Sequence, residues 1–133
     1  MAKQFRLIVV TPETTLLDEM VDSVRLPLFD GMAGILPGHA PIVGRLGFGN
    51  MTVLVGPTDR VWFVDGGFVQ VVNDVVSVLT NRAISPKSID LGEAQRSLEE
   101  ANTTVPNTPA GFDAKDRNQE RARKMIVSAR TAS

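Results

Sequence analysis

"GFVQVVNDVVSVLT", Gly67 to Thr80, sets two valine-rich runs on either side of Asn73-Asp74. β-Branched residues favour extended backbone, and a two-residue linker of Asn and Asp tolerates the positive φ of a tight turn. The stretch reads as a β-hairpin. Working outward, "FRLIVV" (Phe5 to Val10), "SVRLPL" (Ser23 to Leu28), "MTVLV" (Met51 to Val55) and "VWFV" (Val61 to Val64) have the same character. Turn clusters separate them at the spacing of a sandwich or barrel. "GPTDR" (Gly56 to Arg60) is expected to make a second, looser hairpin. Pro27 lacks an N–H, so its strand is expected at a sheet edge or near its own end.

After Ala83 the texture changes. Asp90 followed by Glu93 is a variant of the capping box, and Leu91, Ala94, Leu98 and Ala101 recur on one helical face. "NTTVPNTPAGF" (Asn102 to Phe112) contains two prolines and cannot continue that helix. A second helix is expected from Asp113, with Ala122, Met125, Ile126 and Ala129 on one stripe. Its opening, "DAKDRNQER", has almost nothing apolar to bury, and i,i+4 pairs such as Asp113 with Arg117 add only about 0.2–0.5 kcal/mol each. This helix must depend on what it docks against. The chain is thus a mostly β plus α protein, with a β-sandwich domain over 1–84 and a two-helix antiparallel hairpin over 85–133.

The totals narrow the function. The 133 residues include no cysteine and one histidine, and the formal net charge is −1. No thiolate metal site or cysteine nucleophile is available, and no global field recruits nucleic acid or an anionic membrane. The opening "MAKQFRLIVVTPETT" has an apolar run too short for a signal peptide, and no stretch approaches the roughly 18–20 apolar residues of a membrane span. A chain that meets a membrane only indirectly, through a partner, is expected.

Reactive groups do not converge. His39 has no cysteine to activate, and Ser23 and Ser77 sit inside strand patterns. One histidine and scattered carboxylates offer no metal-ligand spacing. "GFG" (Gly47 to Gly49) lacks the rest of a dinucleotide fingerprint and reads as a turn, and no phosphate loop is present. The last helix is net basic through Lys115, Arg117, Arg121, Arg123, Lys124 and Arg130, yet it carries no aromatic side chain to stack on bases. No catalytic residue, metal or cofactor is assigned.

His39 instead lies in "DGMAGILPGHAPIVGRLGFG" (Asp30 to Gly49), where prolines restrict φ and glycines permit sharp turns. That segment, with "FRLIVVTPE", "VRLPLFDG", "FVDGGFVQVVNDVVSVLTNRA" and "IDLGEA", closely resembles the epsilon-subunit family of bacterial F-type ATP synthases. The likeness runs in order from Phe5 to Ala101; beyond it only the two-helix plan is shared. The resemblance implies a flattened ten-stranded β-sandwich with a C-terminal helical hairpin. It also implies a non-catalytic rotor subunit at the cytoplasmic face of the bacterial inner membrane. Such a subunit is bound to gamma, seated on the c-subunit ring, and couples ion flow to ATP synthesis. Its hairpin can fold against the sandwich or extend toward the alpha/beta hexamer, where it hinders ATP hydrolysis. By the family's pattern Asp30, Gly31, Met32, Gly38, His39, Ala40 and Pro41 contact gamma or the ring; the net positive charge of the last helix, apart from the resemblance, makes Arg117, Arg121, Arg123 and Lys124 the candidate regulatory contact.

Two departures from the family matter. Many relatives place a glutamate where Met32 stands. ATP-binding relatives carry an "I(L)DxxRA" motif, where this chain reads "IDLGEA" with Glu93 in the arginine's place. A carboxylate there repels phosphate, which weighs against the second reading, a nucleotide-sensing regulator that binds ATP in the hairpin.

Overall fold

The computed structural model describes residues 3–132, the side chain of Ala132 excepted; the outermost ends of both expected domains, residues 1–2 and 133, lie outside it. The chain divides after Ile84 into two compact units.

The first unit holds eight strands: β1 (Phe5–Val10), β2 (Thr15–Val21), β3 (Ser23–Leu28), β4 (Gly31–Ile35), β5 (Ile42–Val55), β6 (Thr58–Val72), β7 (Val75–Leu79) and β8 (Ala83–Ile84). They form one hydrogen-bonded sheet in the order β2-β1-β7-β6-β5-β3-β4, with β8 also on β6. All pairs are antiparallel except β1 with β7. Inward side chains from β1 to β7 gather into one core that includes Phe5, Leu7, Val24, Leu26, Ile35, Met51, Val53, Val69 and Val78. The sheet therefore curls over on itself as a sandwich. Glu19 of β2 accordingly makes an ion pair with Arg60 of β6, although those strands are not sheet neighbours.

The expected class holds, but among the described residues eight strands are present where the resemblance implies ten. β5 and β6 span 14 and 15 residues and pair in one unbroken register from Ile42↔Val71 to Val55↔Thr58. Their inward-facing phase changes along the way. On β5 the core residues pass from Leu46 to Met51 and Val53, and on β6 from Val64 to Val69 and Val71, while Phe63 is buried outside that core cluster. One long strand thus serves both layers. "VWFV" and "GFVQVV" belong to this single β6, and Gly47 to Gly49 lie inside β5 rather than in a turn. The "GPTDR" hairpin is also tighter than expected, since Val55↔Thr58 leaves only Gly56-Pro57 as its loop.

Pro27 meets one of its two expected placements, since it lies one residue from the end of β3, but the strand is not at an edge. β3 is interior, between β5 and β4. Its ladder to β5 slips between Arg25 and Leu28, so the proline occupies the irregularity where no N–H is required.

The hairpin at Asn73-Asp74 forms as read. Both residues have positive φ, +52° and +59°, and Val72 pairs with Val75. This is the type I′ geometry whose twist matches the flanking strands.

The second unit contains a short 3-10 turn at Pro86–Ser88, then α1 (Leu91–Thr103) and α2 (Pro109–Ala132), packed on each other. Asp90 caps α1, its Oδ1 accepting the Glu93 N–H at 3.1 Å. α2 begins four residues before the expected Asp113. Thr108 Oγ1 accepts the Gly111 N–H at 3.0 Å, and Pro109 takes the first helical position, where a missing N–H costs nothing. Asn102, near the end of α1, receives two bonds from α2: Gln119 Nε2 donates to its Oδ1 at 2.9 Å and Lys115 Nζ to its carbonyl at 3.4 Å. Ala94, Ala101, Ala122 and Ile126 are buried.

Candidate functional site

The residues assigned by resemblance fall into two groups separated by the length of β4. Asp30, Gly31 and Met32 lie at the β3–β4 turn, where Leu28 pairs with Gly31 and Pro27 with Met32. Gly38, His39, Ala40 and Pro41 lie beyond the other end of that strand, in the connection to β5.

That connection is built by local rules. Leu36-Pro37-Gly38-His39 is a type II turn: proline sits at its second position, Gly38 has φ +81°, and the His39 N–H donates to the Leu36 carbonyl at 3.2 Å. His39 Nδ1–H then donates to the Ala40 carbonyl at 2.7 Å, committing that nitrogen to the backbone. The Gly38 N–H donates to Asp74 Oδ1 at 2.7 Å, which ties the connection to the β6–β7 turn. Nothing in local sequence spacing reveals this last bond.

What the segment presents outward is apolar. Phe29, Met32, Leu36 and Val43 are 60–78% exposed. The Arg45 guanidinium lies 4.8 Å from the centre of the Phe29 ring, and on the outer face of the sheet Arg45 pairs with Phe68, which pairs with Leu79. Arg45, Phe68 and Leu79 line an open groove of about 430 Å³ with Val10 and Pro12. Phe68 and Leu79 are also exposed. Exposed apolar side chains in such number are characteristic of interaction surfaces. Sequence reasoning missed Phe29, Leu36, Val43 and Phe68. The available signal was large apolar residues at turn positions and at alternate strand positions outside the core set.

In the helical unit the four assigned basic residues do not share one face. On the continuous α2, Arg117, Arg121 and Lys124 follow at i, i+4 and i+7 and form a stripe, opposite the buried Ala122 and Ile126. Arg123 points well away from that stripe. Arg121 Nη1 donates to Asn118 Oδ1 at 3.0 Å. Glu93 stands in the first turn of α1, where a carboxylate complements the positive end of the helix dipole.

Among the described residues no group of three His, Cys, Asp or Glu side chains could hold a metal ion. Likewise, no described helix is long and apolar enough to cross a membrane. The fold and surface together define a class, a β-sandwich that exposes apolar side chains followed by a helical hairpin that carries a basic stripe.

Known proteins narrow that class. The family described as "ATP synthase, Delta/Epsilon chain, beta-sandwich domain" matches residues 4–86. An ATP synthase epsilon chain of Rhodopirellula baltica is 45% identical over 125 residues, covering 94% of this chain and 98% of that one. One of Solibacter usitatus is 40% identical over 113 residues, covering 85% and 84%. Among solved structures, the Euglena gracilis mitochondrial ATP synthase OSCP/F1/c-ring assembly contains a similar chain. Its TM-score is 0.83 at 25% identity, over 94% of this chain and 81% of that one. A chain of the Tetrahymena thermophila central stalk and c-ring shares the fold, with TM-score 0.78 at 14% identity over 96% and 97%. The protein belongs to the ATP synthase delta/epsilon-chain family, whose epsilon chains are non-catalytic subunits of that complex.

Proposed function

We propose that this chain is the central-stalk subunit that links gamma and the c-subunit ring, so that rotation driven by ion flow reaches the catalytic alpha/beta hexamer. The sandwich is the docking unit. The hairpin, through its basic stripe, hinders ATP hydrolysis when it reaches the hexamer. The subunit is held peripherally at the cytoplasmic face of the bacterial inner membrane by its partners. The observation that carries this reading is the exposed apolar set Phe29, Met32, Leu36 and Val43 on a segment fixed by turns and strand pairing. The epsilon-chain names of the bacterial relatives and the F1/c-ring setting of the Euglena assembly support it.

A rotor part must transmit torque without shearing, and this segment suits that task. Pro37 and Gly38 hold one turn, and β4 is laddered to β3 along its whole length. The test is binding of the full-length chain to an immobilised complex of gamma and c-ring. The triple variant Phe29→Ser, Leu36→Ser, Val43→Ser is expected to weaken binding at least about a hundredfold, since burying each such side chain contributes roughly 1.5–3 kcal/mol. Val105→Ser is the control. Val105 is 89% exposed but lies alone in the connection between α1 and α2. Equal binding by the two variants overturns the proposal.

A further inference from the structure

We propose that Asp74 is a positioning residue whose carboxylate holds the Leu36–Pro41 connection in the shape that docks on the rotor. The docking half of this inference rests on the function proposed above. In this proposal Asp74 acts through its bond to Gly38 rather than by meeting a partner itself.

The first argument is the bond itself. At 2.7 Å, a carboxylate accepting a backbone N–H is a short, charge-assisted hydrogen bond, and it joins residues 36 positions apart. In a type II turn the N–H of the third residue points away from the turn's own hydrogen bond, so the Gly38 N–H is free to bond outside the turn. Asp74 supplies the acceptor.

The second argument is conformational. Asp74 has φ +59° as the second residue of a type I′ turn, a position that glycine fills without steric penalty. Backbone preference alone therefore favours glycine there. What glycine lacks is the carboxylate.

The third argument is anchorage. Between buried Ile35 and half-buried Ile42, no side chain of the connection is buried, and Leu36, Gly38, Ala40 and Pro41 are exposed. Packing does little to fix this segment. The Asp74 backbone, in contrast, is fastened to the sandwich, because its carbonyl accepts the Arg6 N–H of β1 at 3.0 Å. A continuous path of hydrogen bonds thus runs from β1 through Asp74 and Gly38 to the turn that places His39 and Ala40.

Two variants of the full-length chain separate positioning from stability. Asp74→Gly removes the acceptor and relieves the left-handed backbone. Asp74→Asn keeps an acceptor oxygen and tolerates that backbone. Three readouts are taken: urea unfolding followed by Trp62 fluorescence, amide exchange at Gly38 by NMR, and affinity for the isolated complex of gamma and c-ring. Asp74→Gly is expected to be at least as stable as the native chain. Its Gly38 amide should exchange about tenfold faster, and binding should weaken about tenfold, the scale of one hydrogen bond to a charged group. Asp74→Asn is expected to restore most of both.

Unchanged exchange at Gly38 in Asp74→Gly overturns the bond's role. Faster exchange with full affinity overturns the positioning. A loss of stability that matches the loss of affinity reduces Asp74 to a structural residue and also overturns it. Failure of the native chain to bind the complex overturns the proposed function and the docking half with it, while Gly38 exchange still decides whether the bond shapes the connection.

Discussion

Gly67→Ala probes the bend at which β6 passes from one layer to the other. Gly67 has φ +117°, and a Cβ built there lies 1.8 Å from the Leu79 carbonyl oxygen and 2.8 Å from the Leu79 carbonyl carbon and Thr80 Cα. These are backbone atoms of the neighbouring strand and its exit, so no side chain can rotate out of the way. An ordinary C···O contact is about 3.3 Å or longer, so the two backbones must part by roughly 1.5 Å. That separation falls where Phe68 pairs with Leu79 and where the Thr80 hydroxyl donates to the Gly66 carbonyl at 2.7 Å. Backbone strain of about 1–3 kcal/mol and overpacking of about 1–3 kcal/mol add to roughly 2–6 kcal/mol. Domains of this size are stable by only about 5–15 kcal/mol.

The assay is thermal and urea unfolding of the full-length chain followed by fluorescence of Trp62, the single tryptophan, which packs against the sandwich core. A loss of 3 kcal/mol corresponds to a fall in Tm of at least about 12 °C for a domain under 100 residues. Gly38→Ala is the internal comparison. It also has positive φ, +81°, but nothing lies within 4 Å of its built Cβ, so it should lose only about 1 kcal/mol. A Gly67→Ala chain that stays within 1 kcal/mol of the native one, or is no worse than Gly38→Ala, refutes the steric argument.

Two further outcomes follow from charge. The Asp18 carboxylate accepts two bonds from the Arg6 guanidinium, both at 2.8 Å, and this pairing holds its pKa below the ordinary value. A lowered folded-state pKa means that stabilisation is present above the unfolded carboxylate's pKa of about 3.9 and fades as pH falls through the folded value. Asp18→Asn should therefore have a slightly lower Tm than the native chain at pH 7, with the gap closing in acid; a gap that persists unchanged at low pH is the contrary result. On α2, replacing Arg117, Arg121 and Lys124 together by glutamine should raise ATP hydrolysis by the assembled catalytic sector at least about twofold, the low end of the effect of losing exposed ion pairs. Arg123→Gln should leave the rate unchanged, and equal effects from the two variants would count against the stripe.

Sequence and structure agree where local chemistry is enough. The Asn73-Asp74 turn, β1, β3 and the Asp90 cap are each fixed by residues a few positions apart. Agreement weakens where pairing overrides propensity. β4 reads GMAGI, with two glycines, and is extended because β3 ladders it. β2 reads TLLDEMV and buries only Leu17 and Val21, too sparse an alternation to stand out. Gly44, Gly47 and Gly49 hide the first half of β5, whose register is held by β6. The start of α2 was legible in Thr108-Pro109 as a cap and first position, but the density of prolines in that stretch suggests a longer loop. At the candidate surface the turn at Pro37-Gly38 follows from residue type. The Gly38–Asp74 bond does not, because its partners are brought together only by the β6–β7 hairpin.

The two units differ in what they bury, and that difference bears on their proposed work. The sandwich encloses large side chains such as Phe5, Leu7, Leu26, Ile35 and Met51 at 0–1% exposure. Truncating residues of this kind costs about 2–5 kcal/mol each, so the sandwich resists deformation. Among the described residues the helical unit buries only Ile89 and Ile126 as large aliphatic side chains, beside Pro86, Ser128 and the alanines Ala94, Ala101 and Ala122. An alanine methyl contributes only about 0.8 kcal/mol when removed from water, and small side chains lock few neighbours in place. α2 compounds this by holding its first turns with hydrogen bonds from Lys115 and Gln119 to Asn102, which water can replace. Under the function proposed above, in which the sandwich passes force and the hairpin exchanges contacts, deep packing falls where force would pass and shallow packing where contacts would change.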